Sequence, residues 1–241
     1  MIHQMLQSLK LPIMTQPKKV LTEDTGKIFE MAICLAYGIK YDGKFKYDIG
    51  SSEKLKLRLD KLHELFPMCN HTAKKGSRYD FTSVSNTSYH LSAKSAKKGV
   101  GKVAPQVIGQ AKPEKFCKVL GIDYISIITL KEHIQVNIKN ILPIIVDHTF
   151  DCPNIYYNRD ADSIRFITLN TPIDWSKYTF KWTRNWIDWT NSTTLKIVIE
   201  EKEISLIEFQ FHTKSRTNMA IRWFYENFLS VFNNNISIVS L

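Results

Sequence analysis

A short hairpin constrains this chain more than any other feature. Residues 78–84 and 89–95 are strand-like runs separated by the turn-formers Ser85-Asn86-Thr87. That pattern reads as two antiparallel strands joined by a tight turn. A lone hairpin is marginal in water, so these strands must belong to a larger sheet or pack on helices. With the turn centred on Asn86-Thr87, Asp80 falls opposite Ser92-Ala93-Lys94. Side chains alternate faces along a strand, so Ser92 and Lys94 project the same way. One register therefore gathers a carboxylate, a hydroxyl and an ammonium, and a slip of one residue would scatter them.

Charge places this hairpin in a distinctive setting. The 241 residues carry a formal net charge of +10, which favours polyanionic partners, nucleic acid before acidic membrane surfaces. Between Asn70 and Lys118 ten Lys/Arg stand against two acids, Asp80 and Glu114, so this stretch holds +8 of the total. It reads as a footprint for a phosphate backbone, with a solvated basic face as the plainer alternative. Lys97, Lys98 and Lys102 lie in a flexible loop with Gly99 and Gly101, and are its simplest phosphate contacts.

Several classes are excluded. Cys34, Cys69, Cys117 and Cys152 are far apart, without the spacing of a zinc site or a disulfide framework. They read as reduced thiols of an intracellular, cytoplasmic protein. His3, Gln4, Gln7 and Lys10 interrupt the N-terminal apolar residues, so no signal peptide is expected. No run approaches the roughly eighteen apolar residues of a membrane span. Walker A, dinucleotide-binding and H-E-x-x-H motifs are missing.

Around the hairpin, Thr22-Glu23-Asp24-Thr25 opens a helix whose apolar run, 28–37, is closed by Gly38. A second helix is expected over 52–65, ended by Pro67, and a third over 105–120. Residues 122–130 and 141–148 read as strands, with Asp147, His148 and Asp151 as a polar loop at the end of the latter. From Ile164 the chain reads as mostly strand and loop. It closes with a hairpin, 195–199 and 205–212, and a helix over 218–232. The sum is an α/β chain with a mixed sheet flanked by helices. No linker is evident, and residues 1–241 read as a single domain, with catalytic elements at 22–120 and a β-rich part at 160–241. Trp175, Trp182, Trp186, Trp189 and Trp223 read first as core and second as platforms for stacked bases.

The gathered groups suit phosphodiester hydrolysis. A carboxylate fixes a hard divalent cation that polarises the phosphate and acidifies a bound water, while an ammonium positions that water or neutralises charge on the phosphorane. Glu30 stands on an otherwise apolar helix face beside Ile33, Cys34 and Tyr37. Such an acid is paired with a lysine, exposed at an edge, or bound to a metal.

The order helix Glu30, then Asp80, then a hairpin to Ser92-Ala93-Lys94 resembles the PD-(D/E)xK nuclease superfamily, particularly its type II restriction endonucleases. The run Lys102-Val103-Ala104-Pro105-Gln106-Val107-Ile108-Gly109-Gln110 resembles a segment that follows the active-site lysine in some of them. So does the late strand Glu208-Phe209-Gln210-Phe211-His212 with Arg216 beyond it. Two positions depart: Tyr79 stands where proline is common, and Ser92 where an acid is usual. The resemblance implies a restriction-endonuclease-like fold and Mg²⁺-dependent, site-specific cleavage of double-stranded DNA. It implies Asp80 and Glu30 at the metal, Lys94 on the attacking water, and Ser92 as a hydrogen-bond donor nearby. Gln106, Gln110, Gln210, His212 and Arg216 would face DNA, where amides and guanidinium groups can read base edges. A palindromic site would call for a homodimer. The alternatives are a non-enzymatic nucleic-acid-binding protein and a structure-specific repair nuclease of the same fold.

Overall fold

The computed structural model describes residues 22–73, 77–212 and 217–241. The N-terminal residues judged free of a leader, Lys74 and Lys75 of the basic stretch, and Arg216 lie outside the described residues. The chain begins with helices α1 (Thr22–Tyr37), α2 (Ile49–Lys56) and α3 (Leu62–Leu65), then strands β1 (Cys69–His71), β2 (Phe81–Ser83), β3 (His90–Ala96) and β4 (Lys102–Val103). Helices α4 (Pro113–Leu120), α5 (Ile127–Val136) and α6 (Ile138–Phe150) follow, then strands β5 (Asn154–Asn158) and β6 (Ser163–Leu169). The last part holds β7 (Thr179–Trp182), β8 (Ser192–Ile199), β9 (Lys202–Phe211), β10 (Met219–Phe224), α7 (Tyr225–Val231) and β11 (Ile236–Ser240).

Among the described residues two sheets form, ordered β1-β2-β3-β5-β6-β11 and β4-β10-β9-β8-β7. In the first, β3 and β5 run parallel and the other neighbours antiparallel. The second is antiparallel throughout. The α/β class with a mixed sheet flanked by helices is thus as the sequence led us to expect. Among the described residues, no helix is long and apolar enough to cross a membrane.

The mixed sheet is covered on both faces. Ile155 and Tyr157 of β5 join a cluster with Phe29, Ile33, Phe81 and Leu91, while Tyr156 between them joins Leu142, Phe209 and Trp223. Phe166 and Ile167 of β6 divide the same way. All five residues of β5 are buried, the pattern of a strand with both faces packed. Helix α1 lies against one face through Phe29, Ala32 and Ile33. It ends at Gly38, φ 65°, where Gly38 N–H donates to Leu35 O at 3.3 Å and Ile39 N–H to Cys34 O at 3.0 Å. Those two bonds satisfy carbonyls the helix would otherwise leave open. Three of the five tryptophans, Trp175, Trp189 and Trp223, are buried in core.

Several sequence expectations change. The strands expected at 122–130 and 141–148 are the helices α5 and α6. Ser126 caps α5 by accepting from Thr129 N–H at 3.1 Å, and Ile138, Ile141, Leu142, Ile145 and Val146 line one face of α6 at helical spacing. Short isoleucine-rich runs do not distinguish buried strand from buried helix by composition. The helix expected over 105–120 begins only at Pro113. Before it the backbone runs beside β10, with Met219 N–H donating to Ala111 O at 2.9 Å and Ile221 N–H to Gly109 O at 3.0 Å. The helix expected over 218–232 is split into β10 and α7, because Met219–Trp223 complete the ladder with β9. The helix at 52–65 breaks into α2 and α3, leaving Leu57 exposed.

Gly109 illustrates how tightly that added segment is held. A Cβ there would lie 2.5 Å from Pro105 O and 2.7 Å from Ala104 Cβ, and the ladder to Ile221 prevents retreat. Gly109→Ala is expected to destabilise the protein by about 1–3 kcal/mol, seen as a lower urea midpoint with an unchanged slope.

Candidate active site

Strand β2 accompanies β3 only briefly, through Phe81↔Leu91 and Thr82↔His90. On its other side β3 pairs with β5 from Ser92↔Asn154 to Ala96↔Asn158. A notch therefore opens where β2 has ended and β3 continues. Asp80, the residue before β2, sits in it. Its Oδ2 accepts from Ala93 N–H at 2.7 Å and from Ser92 Oγ–H at 3.0 Å. The pairing is shifted by one residue from a turn centred on Asn86-Thr87, so that Asp80 falls in line with Ser92, and the carboxylate still meets Ser92 and Ala93 within the expected neighbourhood.

Lys94 follows on the same strand face as Ser92, opposite Tyr156. Asp80 and Lys94 are half-buried and each feels the other's charge. Burial pushes the Asp80 carboxyl above the ordinary carboxylate range, with the Glu30 charge adding to the rise. Lys94, Ala93 N–H and the Ser92 hydroxyl oppose it. Burial pushes the Lys94 ammonium down, against the pull of Asp80. A lysine so treated holds its proton less tightly than one in water.

Glu30 enters from α1. Its carboxylate meets Lys27 Nζ at 2.9 Å, His71 Nε2 at 3.3 Å and the Tyr41 hydroxyl at 3.5 Å. Burial alone would raise its pKa, but His71 and Lys27 outweigh burial and hold it below the usual range. Glu30 is thus an ion-paired acid whose field still reaches both Asp80 and Lys94. The pairing with a lysine that the sequence held open is the one observed, and the partner is Lys27, whose i,i+3 spacing to Glu30 is legible. Sequence reasoning passed over His71, whose place beside Glu30 only the folded chain creates.

The opposite wall is formed by Asp151, read in the sequence as part of a polar loop. Asp151, at the end of α6, pairs with Arg78 Nε at 2.8 Å and accepts from the Tyr79 hydroxyl at 2.6 Å. Its charge also reaches Lys94. Residues expected at DNA divide. Gln106 is buried, with 7% of its surface exposed. Gln110 and Lys98 are exposed, and Lys97 and His212 half-buried. Lys102 Nζ lies 3.0 Å from both Glu208 oxygens. Arg222 lies 3.5 Å from Glu208 and donates to Gln210 Oε1 at 3.4 Å. Lys102, Glu208, Arg222 and Gln210 therefore share the outer face of the second sheet, while Phe209 and Phe211 turn into the core.

The notch thus holds an acid and a lysine in the mixed sheet, with a basic loop following in the chain. Among curated proteins the chain is 40% identical over 225 residues to the type II restriction enzyme CviAII of Paramecium bursaria Chlorella virus 1. The match takes in 92% of this chain and 64% of that enzyme, so the chain spans just under two thirds of its relative's length. The class resembled and the relative matched are therefore the same. No family model matches the chain, and no solved structure does.

Because burial disfavours both charged forms, replacing Asp80 and Lys94 together by Asn and Met is expected to raise the denaturant midpoint near neutral pH. The Asp80 part of that gain disappears below about pH 4, where both folded and unfolded chains are protonated, and the Lys94 part above about pH 10. Urea titrations of wild type and double variant at three pH values would measure it. A double variant less stable than wild type at pH 7 would contradict it.

Proposed function

We propose that this chain is a site-specific endonuclease for double-stranded DNA, of the type II restriction class, with a PD-(D/E)xK-type centre that uses Mg²⁺. The observation that carries the reading is the convergence of Asp80, Ser92 and Lys94 in one notch. The 40% identity to a type II restriction enzyme supports it. Among the described residues no cluster of three or more His, Cys, Asp or Glu forms a metal-binding group. What the notch offers is Asp80, with Glu30 as a second carboxylate in its field. That small set of hard oxygens fits Mg²⁺, which typically takes one or two carboxylates and fills its shell with water and substrate phosphate. The ion would supply Lewis-acid polarisation of the phosphate and a more acidic water.

The chain's own groups do the rest. Asp80, fixed by Ala93 N–H and Ser92, holds its carboxylate toward the scissile phosphate. Lys94, with its proton loosened by burial, positions the attacking water and takes or stabilises charge as the P–O bond breaks. Lys97, Lys98 and Lys102 grip flanking phosphates. Gln110, Gln210, His212 and Arg216 are candidates for contacts in the grooves. A two-fold recognition site would bring two copies of the chain together.

The test is incubation with several long DNAs of known sequence, in Mg²⁺ and in EDTA. Discrete fragments in Mg²⁺ alone are expected, and Asp80→Ala or Lys94→Ala should slow cleavage at least about 100-fold while DNA is still retarded on gels. Intact DNA under all conditions, with retardation retained, would instead make the chain a DNA-binding protein without nuclease activity.

A further inference from the structure

We infer that Gln106 and Asp151 form a positioning pair that holds Asp80 in place and thereby sets the affinity of the centre for its divalent cation. This rests on the reading just given and assigns to Gln106 an inward role. Its amide lies between two acceptors on one side and a hydroxyl on the other. Oriented accordingly, Nε2 donates to His148 O at 2.5 Å and to Asp151 Oδ1 at 3.3 Å, and Oε1 faces Ser92 Oγ at 3.0 Å. The other Asp151 oxygen takes the Tyr79 hydroxyl and the Arg78 guanidinium. Asp151 is thus joined both to Tyr79, the residue before Asp80, and to Gln106, which lies against the Ser92 hydroxyl beside Asp80. These links bear on Asp80, which lies just outside the β2–β3 ladder. The Ser92 proton serves Asp80 at 3.0 Å or Gln106, one at a time, so Gln106 steadies Asp80 through Asp151 and Tyr79 and not through Ser92.

The backbone gives independent support. Val107 has φ 64°, and Ile108 N–H donates to Gln106 O across it at 2.6 Å. That is a three-residue turn of the rare, strained kind. A β-branched residue at such a φ is costly, and strain of this sort persists where the surroundings over-determine it. Here Gln106 N–H, bonded to His148 O at 2.6 Å, pins the turn and directs the side chain inward.

Groups one step removed from a metal typically change its affinity about 10–100-fold when lost. Gln106→Met keeps length and volume but loses every hydrogen bond. Asp151→Asn keeps shape and loses charge, and carries the same readout should Gln106→Met not fold. Two measurements on the full chain apply: calorimetric titration with Mn²⁺, and the Mg²⁺ concentration giving half-maximal cleavage. Both should shift about 10–100-fold toward weaker binding, with DNA retardation in EDTA at the wild-type level. Wild-type Mn²⁺ affinity in both variants would overturn the inference and leave the nuclease reading standing. Wild-type Mn²⁺ affinity in Asp80→Ala would remove the centre itself and the inference with it.

Discussion

The site depends on one unpaired donor. Where β2 ends, the N–H of Ala93 loses its strand partner, and a buried donor without an acceptor is costly. The Asp80 carboxylate fills that vacancy at 2.7 Å. A requirement of sheet hydrogen bonding thus fixes the position of the central acid. Because β3 is also held by β5 on its far side, the donor cannot drift to find another partner. Lys94, one residue further, inherits the same rigidity. Asp80 and Lys94 are thus both held in position by a strand anchored on its other side by β5.

Such an arrangement is electrostatically expensive, and the neighbourhood shows how the cost is distributed. Asp80 and Lys94 are each disfavoured in charged form by burial, and each partly relieves the other. Glu30 aggravates Asp80 but is itself held in check by Lys27 and His71, with Tyr41 stacked on His71 at 4.4 Å. Asp151 balances Arg78 on the other wall. Perturbed groups of opposite sign are thereby concentrated around one notch.

The second sheet places a different surface within a short stretch of chain. From Ala96, at the end of β3, the basic loop leads directly to Lys102 on β4. The loop is anchored where Tyr225 N–H donates to Gly101 O at 2.8 Å. Gly101, φ 60°, lies against the Tyr156 hydroxyl, where a Cβ has no room. Tyr156 is in turn the residue opposite Lys94. The notch of Asp80 and Lys94 and the polar outer face of Lys102, Glu208, Arg222 and Gln210 are therefore linked through Tyr156 and one short loop.

What the sequence by itself determined is what local period and local sterics control. The close of α1 at Gly38, the hairpin that brings Asp80 into the neighbourhood of Ser92 and Ala93, and the inward turn of Phe209 and Phe211 all follow from alternation, turn residues and a glycine, although the register itself differs by one from the expected turn centre. Tertiary structure decided the rest. Whether 122–130 and 141–148 were strand or helix depended on which surface they were to cover, since short isoleucine-rich runs satisfy either period. Gln106 carries no local mark of its inward role, because only packing of α6 against the 102–111 segment brings it to Ser92 and Asp151. His71 reaches Glu30 across forty-one positions for the same reason. Side-chain direction along one element is written in its own residues, whereas contact between elements is set by burial of the whole, which no single stretch of sequence contains.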